Sequence, residues 1–148
     1  MNDPSQELED ALALVREALA KRQPLNRYHA RAVLLPLGAE LARAAEAAGR
    51  ARVERLRELL RPVAAGWSQA VQDELEMAVA EFVKSVDRRY LTRPDYDFEY
   101  TLEARARVED RLRAMRALEI EPGTEWLRDL ERADREFAQH LARRGARG

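Results

Sequence analysis

An all-α fold, a compact antiparallel bundle of about five to six helices, is predicted by three features of this 148-residue sequence. Apolar side chains return every third or fourth position along nearly the whole chain. No stretch alternates strictly, as a half-buried strand would, and Ala, Arg, Leu and Glu, all strong helix formers, dominate the composition. Charged residues make up 36% of the chain and apolar ones 46%, a balance that gives each helix one wet and one dry face. The length suits one ordinary domain that buries roughly two-thirds of its unfolded surface. No Gly, Ser or Pro-rich linker and no solenoid period divides it.

The first helix is expected from about Pro4 to Arg22, with Asp3 as N-cap, Pro4 at the first helical position and Gln6 in a capping-box arrangement. Leu8, Ala11, Leu12, Val15, Ala18 and Leu19 form its dry stripe. Gln23-Pro24 ends it, and Asn26 caps a segment from Arg27 to about Leu35. Pro36 and Gly38 follow, so residues 27–62 read either as two helices or as one kinked helix. Beyond them Leu41, Ala45, Ala48, Val53, Leu56 and Leu60 trace a third stripe that ends near Arg61-Pro62, with Gly49 tolerated inside it at roughly 1 kcal/mol.

Gly66 punctuates the chain, Ser68 is the expected cap of a fourth helix, and Val71, Leu75, Ala78, Phe82, Val86 and Tyr90 make the cleanest stripe. Asp73, Glu74 and Glu76 in its early turns, against Lys84, Arg88 and Arg89 late, read as complementing the helix dipole. After Thr92-Arg93-Pro94, a fifth helix carries Leu102, Val108, Leu112, Met115 and Leu118. Thr101 stands near its start, where a cap is wanted, and Glu103–Arg107 and Glu109–Arg113 are spaced to pair. Glu121-Pro122-Gly123 turns the chain and Thr124 caps a sixth helix, in which Trp126, Leu130, Ala133, Phe137 and Leu141 face inward. Residues 143–148 are expected to form a disordered tail.

With no cysteine, disulfides, thiolate nucleophiles and thiolate metal sites are excluded. The polar, acidic opening Met1-Asn2-Asp3-Pro4 does not resemble a signal peptide, and no run approaches the roughly 18 apolar residues of a membrane span. A cytoplasmic protein with no membrane partner is the expectation.

Catalytic chemistry finds little material. The only hydroxyls besides tyrosine are Ser5, Ser68, Ser85, Thr92, Thr101 and Thr124, and the only histidines are His29 and His140. Asn26 and Phe137 stand three residues before the two histidines, where a helical di-metal site would place Glu. Glu136 and His140 share a helical face, which suits a solvated pair better than a metal site needing three or four ligands. No enzyme, metal or cofactor is expected.

Of the basic residues 24 are arginine, against only Lys21 and Lys84, and arginine is suited to bidentate contact with carboxylate or phosphate. The composition also fits a GC-rich coding bias, and the net charge is only −1. The segment from Leu25 to Pro62 carries eight Arg against four Glu and superficially resembles a helix-turn-helix around residues 40–56. With only Gly49 to break the Ala-rich run, one continuous helix is the preferred reading there. Nucleic-acid binding through an arginine stripe is therefore the second functional expectation.

The leading expectation is a non-enzymatic protein-interaction module, an adaptor or accessory subunit. Between Tyr90 and Tyr100 stand Tyr90, Tyr96, Phe98 and Tyr100, four of nine aromatics, beside Arg88, Arg89, Arg93, Asp95, Asp97 and Glu99. Tyr and Arg are enriched at binding hot spots, which makes Arg89, Tyr90, Arg93, Tyr96, Asp97 and Tyr100 the candidate binding residues. The alternative is an ordered corner in which the rings cover the bundle's end and the carboxylates cap helices. The Ala-rich seam from Leu41 to Ala51 permits close helix approach, with packing inside the bundle as the preferred reading and a homodimer through this helix if the seam is exposed, and an apolar inter-helix pocket serving a sensor or enzyme is a third functional reading.

Overall fold

The structure, a computed structural model, describes residues 4–43 and 46–147; of the side chains at 4–5, 43–49 and 146–147 nothing is described. Six helices of fifteen or more residues make the bundle: α1 (Pro4–Ala20), α2 (Arg27–Arg43), α3 (Glu46–Leu60), α4 (Ala64–Ser85), α6 (Phe98–Ala117) and α7 (Thr124–Arg147). A 3-10 turn, Arg61–Val63, leads into α4, and a single helical turn, α5 (Arg88–Leu91), bridges α4 to α6. No strand occurs among the described residues.

The stripe expected on α1 is its buried face, with Leu8, Leu12 and Val15 fully covered. Arg22 ends the helix in the left-handed region at φ 55°, and the Gln23 amide reaches back to the Ala18 carbonyl at 2.9 Å, the bond that closes a Schellman cap. The Gln6 amide donates to Asp10 rather than closing a capping box, and Asp3 lies outside the described residues.

Asn26 caps α2 as expected, its Oδ1 accepting from the amides of Tyr28 at 2.9 Å and His29 at 3.3 Å. His29 completes the cap, because its Nδ1 accepts the Asn26 amide at 3.0 Å, the reciprocal bond usually made by Glu or Gln. The helix then runs through Pro36, which lies inside it, and ends at Arg43. Gly38 is therefore not a breaker. A Cβ built there would stand 2.2 Å from the carbonyl oxygen of Asp110, so the missing side chain is what lets α2 lie directly on the α6 backbone.

The reading of residues 40–56 as one continuous helix is corrected. Arg52 pairs with Glu40, twelve positions earlier, whereas an unbroken helix would hold two such residues about 18 Å apart. Arg52 and Arg55 also reach Glu9 on α1, so α3 turns back across the α1–α2 hairpin. α2 ends at Arg43 and α3 begins at Glu46, and residues 44–45 lie outside the described ones. Residues 43–49, the centre of the Ala-rich seam invoked for self-association, have no described side chains.

Gly66 and Ser68 lie inside α4, which begins at Ala64 without a side-chain cap, so the Ser68 cap is also corrected. Its stripe is buried as expected from Val71 to Phe82. Tyr90 does not continue it. The Asp87 backbone is extended (φ −59°, ψ 133°) and its carboxylate accepts the Arg89 amide, which starts α5 as a separate turn.

Asp97, not Thr101, caps α6, accepting the amides of Glu99 at 3.0 Å and Tyr100 at 3.3 Å. That start sets the helix phase so that Thr101, Ala104, Val108, Arg111 and Met115 face the core while Leu102, 44% exposed, turns to solvent. Thr101 takes the inward place because its hydroxyl donates to the Ser85 carbonyl at the end of α4 and accepts from Tyr96. Arg107 pairs with Glu103 as spaced, but Arg113 goes to Asp110 and the Gly38 carbonyl instead of Glu109. Leu130, Ala133 and Phe137 of α7 are buried, whereas Leu141 is exposed. The helix continues through residues 143–147, where a disordered tail was expected.

One apolar cluster joins all six long helices, running from Leu8 and Leu34 through Leu56, Leu75 and Phe82 to Val108, Met115 and Phe137. Within it lies a polar centre. Glu74 of α4, 2% exposed, accepts from Arg111 of α6, 3% exposed, at 3.0 Å from Nε and 2.6 Å from Nη2, while Arg27 at the start of α2 approaches the second oxygen at 3.5 Å. The sequence reads Glu74 as an early-turn charge complementing the helix dipole. It is instead the carboxylate on which three core helices meet, paired as a buried charge must be.

α6 runs antiparallel to α4, as Glu74–Arg111 and Glu81–Arg107 show, while α7 lies parallel to α4, with Gln72 beside Gly123 and Phe82 against Phe137. At the far end of α4, Val86 and His140 border the same cleft, and α7 runs on to Arg147, about two turns or ~10 Å further. That overhang, facing α5 and the loop to α6, forms the largest concavity described below.

Candidate functional site

A cleft of about 890 Å³ opens between the overhanging end of α7 and the corner that joins α4 to α6. One wall is α5 and the loop after it: Arg88, Arg89, Thr92, Arg93 and Pro94. The other is Glu136, Gln139, His140, Arg143 and Arg144 of α7, spaced at three and four positions so that they share one helical face. Val86, Leu91 and Tyr96 complete the lining.

Charge is unevenly placed here. Five guanidinium groups, from Arg88, Arg89, Arg93, Arg143 and Arg144, face two carboxylates, from Asp87 and Glu136. Asp87 already accepts the Arg89 amide at 2.8 Å and lies 3.6 Å from the Arg89 guanidinium, whose side chain is 94% exposed. No described carboxylate stands within ion-pair distance of Arg88, Arg93, Arg143 or Arg144. By contrast, in the segment from Leu25 to Pro62, Arg27 meets Glu74, Arg52 meets Glu40, Arg55 meets Glu9, and Arg57 meets both Glu54 and Glu119. Four of the eight arginines of that segment are thus paired with carboxylates.

The aromatic residues form a ladder behind the cleft. The Tyr90 ring meets Tyr96 edge-on at 5.2 Å and Tyr100 at 6.3 Å, and Tyr96 meets His140 edge-on at 5.6 Å. The Tyr96 hydroxyl donates to Thr101 Oγ1 at 2.8 Å and that of Tyr100 to Glu81 at 3.2 Å. Burial raises both phenols above their usual value near 10, and Glu81 adds to the rise at Tyr100, so both keep their protons at neutral pH. His140 shifts the other way: burial, then Arg144 and Arg143, lower it from 6.5 and favour the neutral imidazole. Its Nε2 is covered and without a hydrogen-bond partner among the described residues.

Of the six candidate residues, Arg89, Arg93 and Tyr96 line the cleft. Tyr90 stands behind Tyr96, Asp97 is committed to the α6 cap, and Tyr100, 37% exposed, turns toward Glu81 outside the lining. The corner is thus in part the ordered junction of the alternative reading, with rings packed on one another and two carboxylates serving as caps. Arg88, His140, Arg143 and Arg144 were not singled out. Four-residue spacing linked Glu136 with His140, but nothing in the sequence puts α7 opposite residues about fifty positions earlier.

The hydroxyls near the site serve structure: Ser85 donates to the Phe82 carbonyl at 2.7 Å and Thr92 to that of Arg88 at 2.9 Å. No three histidines or carboxylates converge as a metal site among the described residues, and no described helix is long and apolar enough to cross a membrane. A second hollow of about 490 Å³ lies at the other end of α4, where Leu60, Trp67, Leu118 and Ile120 are flanked by Arg57 and Arg61. Compared with models of protein families, with curated proteins and with solved structures, the chain matches none.

Proposed function

We propose that the chain is a non-catalytic helical interaction module that seats an acidic segment of a protein partner in the cleft between α5 and α7. The carrying observation is the concentration of five guanidinium groups around one concavity with four of them unpaired by any described carboxylate. Like charges held together repel, and an anionic partner relieves that cost while accepting fork-shaped hydrogen bonds that arginine is built to give. Tyr96, Leu91 and Val86 supply apolar contact beneath the charges, the mixture of aromatic and arginine found at interface centres.

A nucleic-acid backbone would also satisfy arginine, but in the segment from Leu25 to Pro62, with eight Arg against four Glu, four guanidinium groups are engaged with carboxylates. Guanidinium groups without a described carboxylate partner also lie outside the cleft, Arg128, Arg132 and Arg135 of α7 among them, but the four in the cleft surround one concavity, a shape that suits a projecting side chain better than a duplex.

The test is fluorescence anisotropy with a short labelled oligoglutamate, against single-stranded RNA and duplex DNA of matched charge. Oligoglutamate is expected to bind, with affinity falling between about 50 and 200 mM salt because the contact is ionic. Reversing Arg88→Glu with Arg143→Glu is expected to weaken it at least about tenfold, ~1.4 kcal/mol, while Arg128→Glu, which lies outside the cleft, changes it little. Undiminished binding by the double variant, or tighter binding of RNA or DNA, removes this reading.

A further inference from the structure

Resting on the reading of the cleft as the partner's seat, we propose that the group it selects is a phosphate monoester, carried by a phosphorylated side chain of the partner segment and clasped between Arg88 and Arg93 on one wall and Arg143 and Arg144 on the other. Charge and hydrogen-bond capacity favour phosphate over carboxylate here. Four guanidinium groups without a described carboxylate partner present many donors in planar forks. A carboxylate brings one charge and two oxygens. A phosphate monoester brings about −1.5 to −2 charges and three strong acceptor oxygens on one compact group, so it bridges forks from both walls at once.

The two walls are also differently built, which gives the bound side chain a direction. Tyr96 and His140 meet edge-on at 5.6 Å, and Leu91 and Val86 lie nearby, so an apolar stem rests on this surface while its phosphate faces the guanidinium groups. At about 890 Å³ the concavity is larger than one side chain, leaving room for the flanking peptide. Asp87 on the α5 wall is partly offset by the Arg89 guanidinium at 3.6 Å, so it and Glu136 are the two carboxylates that oppose an anion here against five guanidinium groups.

His140 is a resident reporter of the event. It sits on α7 with Glu136, Arg143 and Arg144, and faces Tyr96 together with the Asp87, Arg88, Arg89 and Arg93 wall. In the free protein the neighbouring guanidinium groups, after burial, hold it below its ordinary value. A dianion among them opposes that field and favours the imidazolium, so the His140 midpoint rises on binding.

The experiment uses the full chain with three peptides of one sequence, bearing phosphoserine, glutamate or serine at the central position, read by anisotropy. Imidazole resonances are followed through a pH titration with and without phenyl phosphate. The phosphoserine peptide is expected to bind at least about tenfold more tightly than the glutamate peptide. The His140 midpoint is expected to move up, and Arg88→Gln with Arg143→Gln is expected to abolish both the phosphoserine preference and that movement. Arg88→Lys, which keeps charge but loses the fork, is expected to give an intermediate affinity. Equal affinity for phosphoserine and glutamate peptides, both sensitive to the arginine variants, overturns phosphate selection and leaves the acidic-segment reading standing. Binding that ignores the arginine variants overturns both, and an unmoved His140 midpoint at saturating phenyl phosphate overturns the placement of the phosphate in this cleft.

Discussion

Replacing Arg111→Met is expected to destabilise the protein by about 3–5 kcal/mol, because it strips Glu74 of its closest partner while leaving the carboxylate buried. Glu74 would keep only the Arg27 guanidinium at 3.5 Å, too long and too one-sided to offset its desolvation. Against a total stability of about 5–15 kcal/mol for an ordinary domain, the loss is large, and the unfolding midpoint is expected to fall on the order of 10 °C. Glu74→Leu combined with Arg111→Met should recover most of it, since an apolar pair of similar volume needs no desolvation. Thermal unfolding of the single and double variants measures both. A single variant as stable as the parent would show that Glu74 reaches water, contrary to its 2% exposure.

Gly38→Ala is the second large effect, and its sign is informative. In an open helix the change stabilises by up to about 1 kcal/mol. At Gly38 the new Cβ would lie 2.2 Å from the Asp110 carbonyl oxygen and 2.7 Å from its carbon, and both belong to the α6 backbone, which cannot rotate aside. Pushing α2 off α6 is expected to cost about 1–3 kcal/mol net, the usual range for overpacking. Gly66→Ala is the matched control: it sits inside α4 with nothing within 4 Å of a built Cβ, and it should stabilise. Stabilisation by both would mean that α2 and α6 do not touch at Gly38.

Where burial follows from one helix's own periodicity, the sequence was enough. The α1 stripe from Leu8 to Ala18, the α4 stripe from Val71 to Phe82 and the Asn26 cap are all found as read, because each depends on residues within one or two turns. Errors arose where a neighbouring helix decides. Gly38 reads as a breaker from its own propensity, yet its role is set by the α6 backbone. Glu74 reads as complementing the helix dipole and Arg111 carries no reading of its own, since two positions thirty-seven apart give no sign that they will meet. Leu102 belongs to the apolar series of the fifth helix and Thr101 reads as a cap, whereas the hydrogen bonds of Thr101 to Ser85 and Tyr96 hold Thr101 inward and leave Leu102 exposed.

The site divides the same way. One wall of the cleft runs from Val86 to Tyr96 and overlaps the Tyr90–Tyr100 stretch, visible as an unusual density of Tyr and Arg, although Tyr90, Asp97 and Tyr100 serve the corner's own order. The other wall is the end of α7, and Arg143 and Arg144 had the composition of a frayed tail. Only the parallel packing of α7 on α4 carries them past the end of α4 to face Arg88 and Arg93.

Backbone amide shifts recorded during titration with the oligoglutamate test that arrangement most directly. They are expected to concentrate in residues 86–96 and 136–144, two stretches distant in sequence that border one cleft, and to vanish with Arg88→Glu and Arg143→Glu. Shifts centred on Trp67 and Ile120 at the opposite hollow, or none at all, would contradict the assignment of the arginine cleft as the binding site.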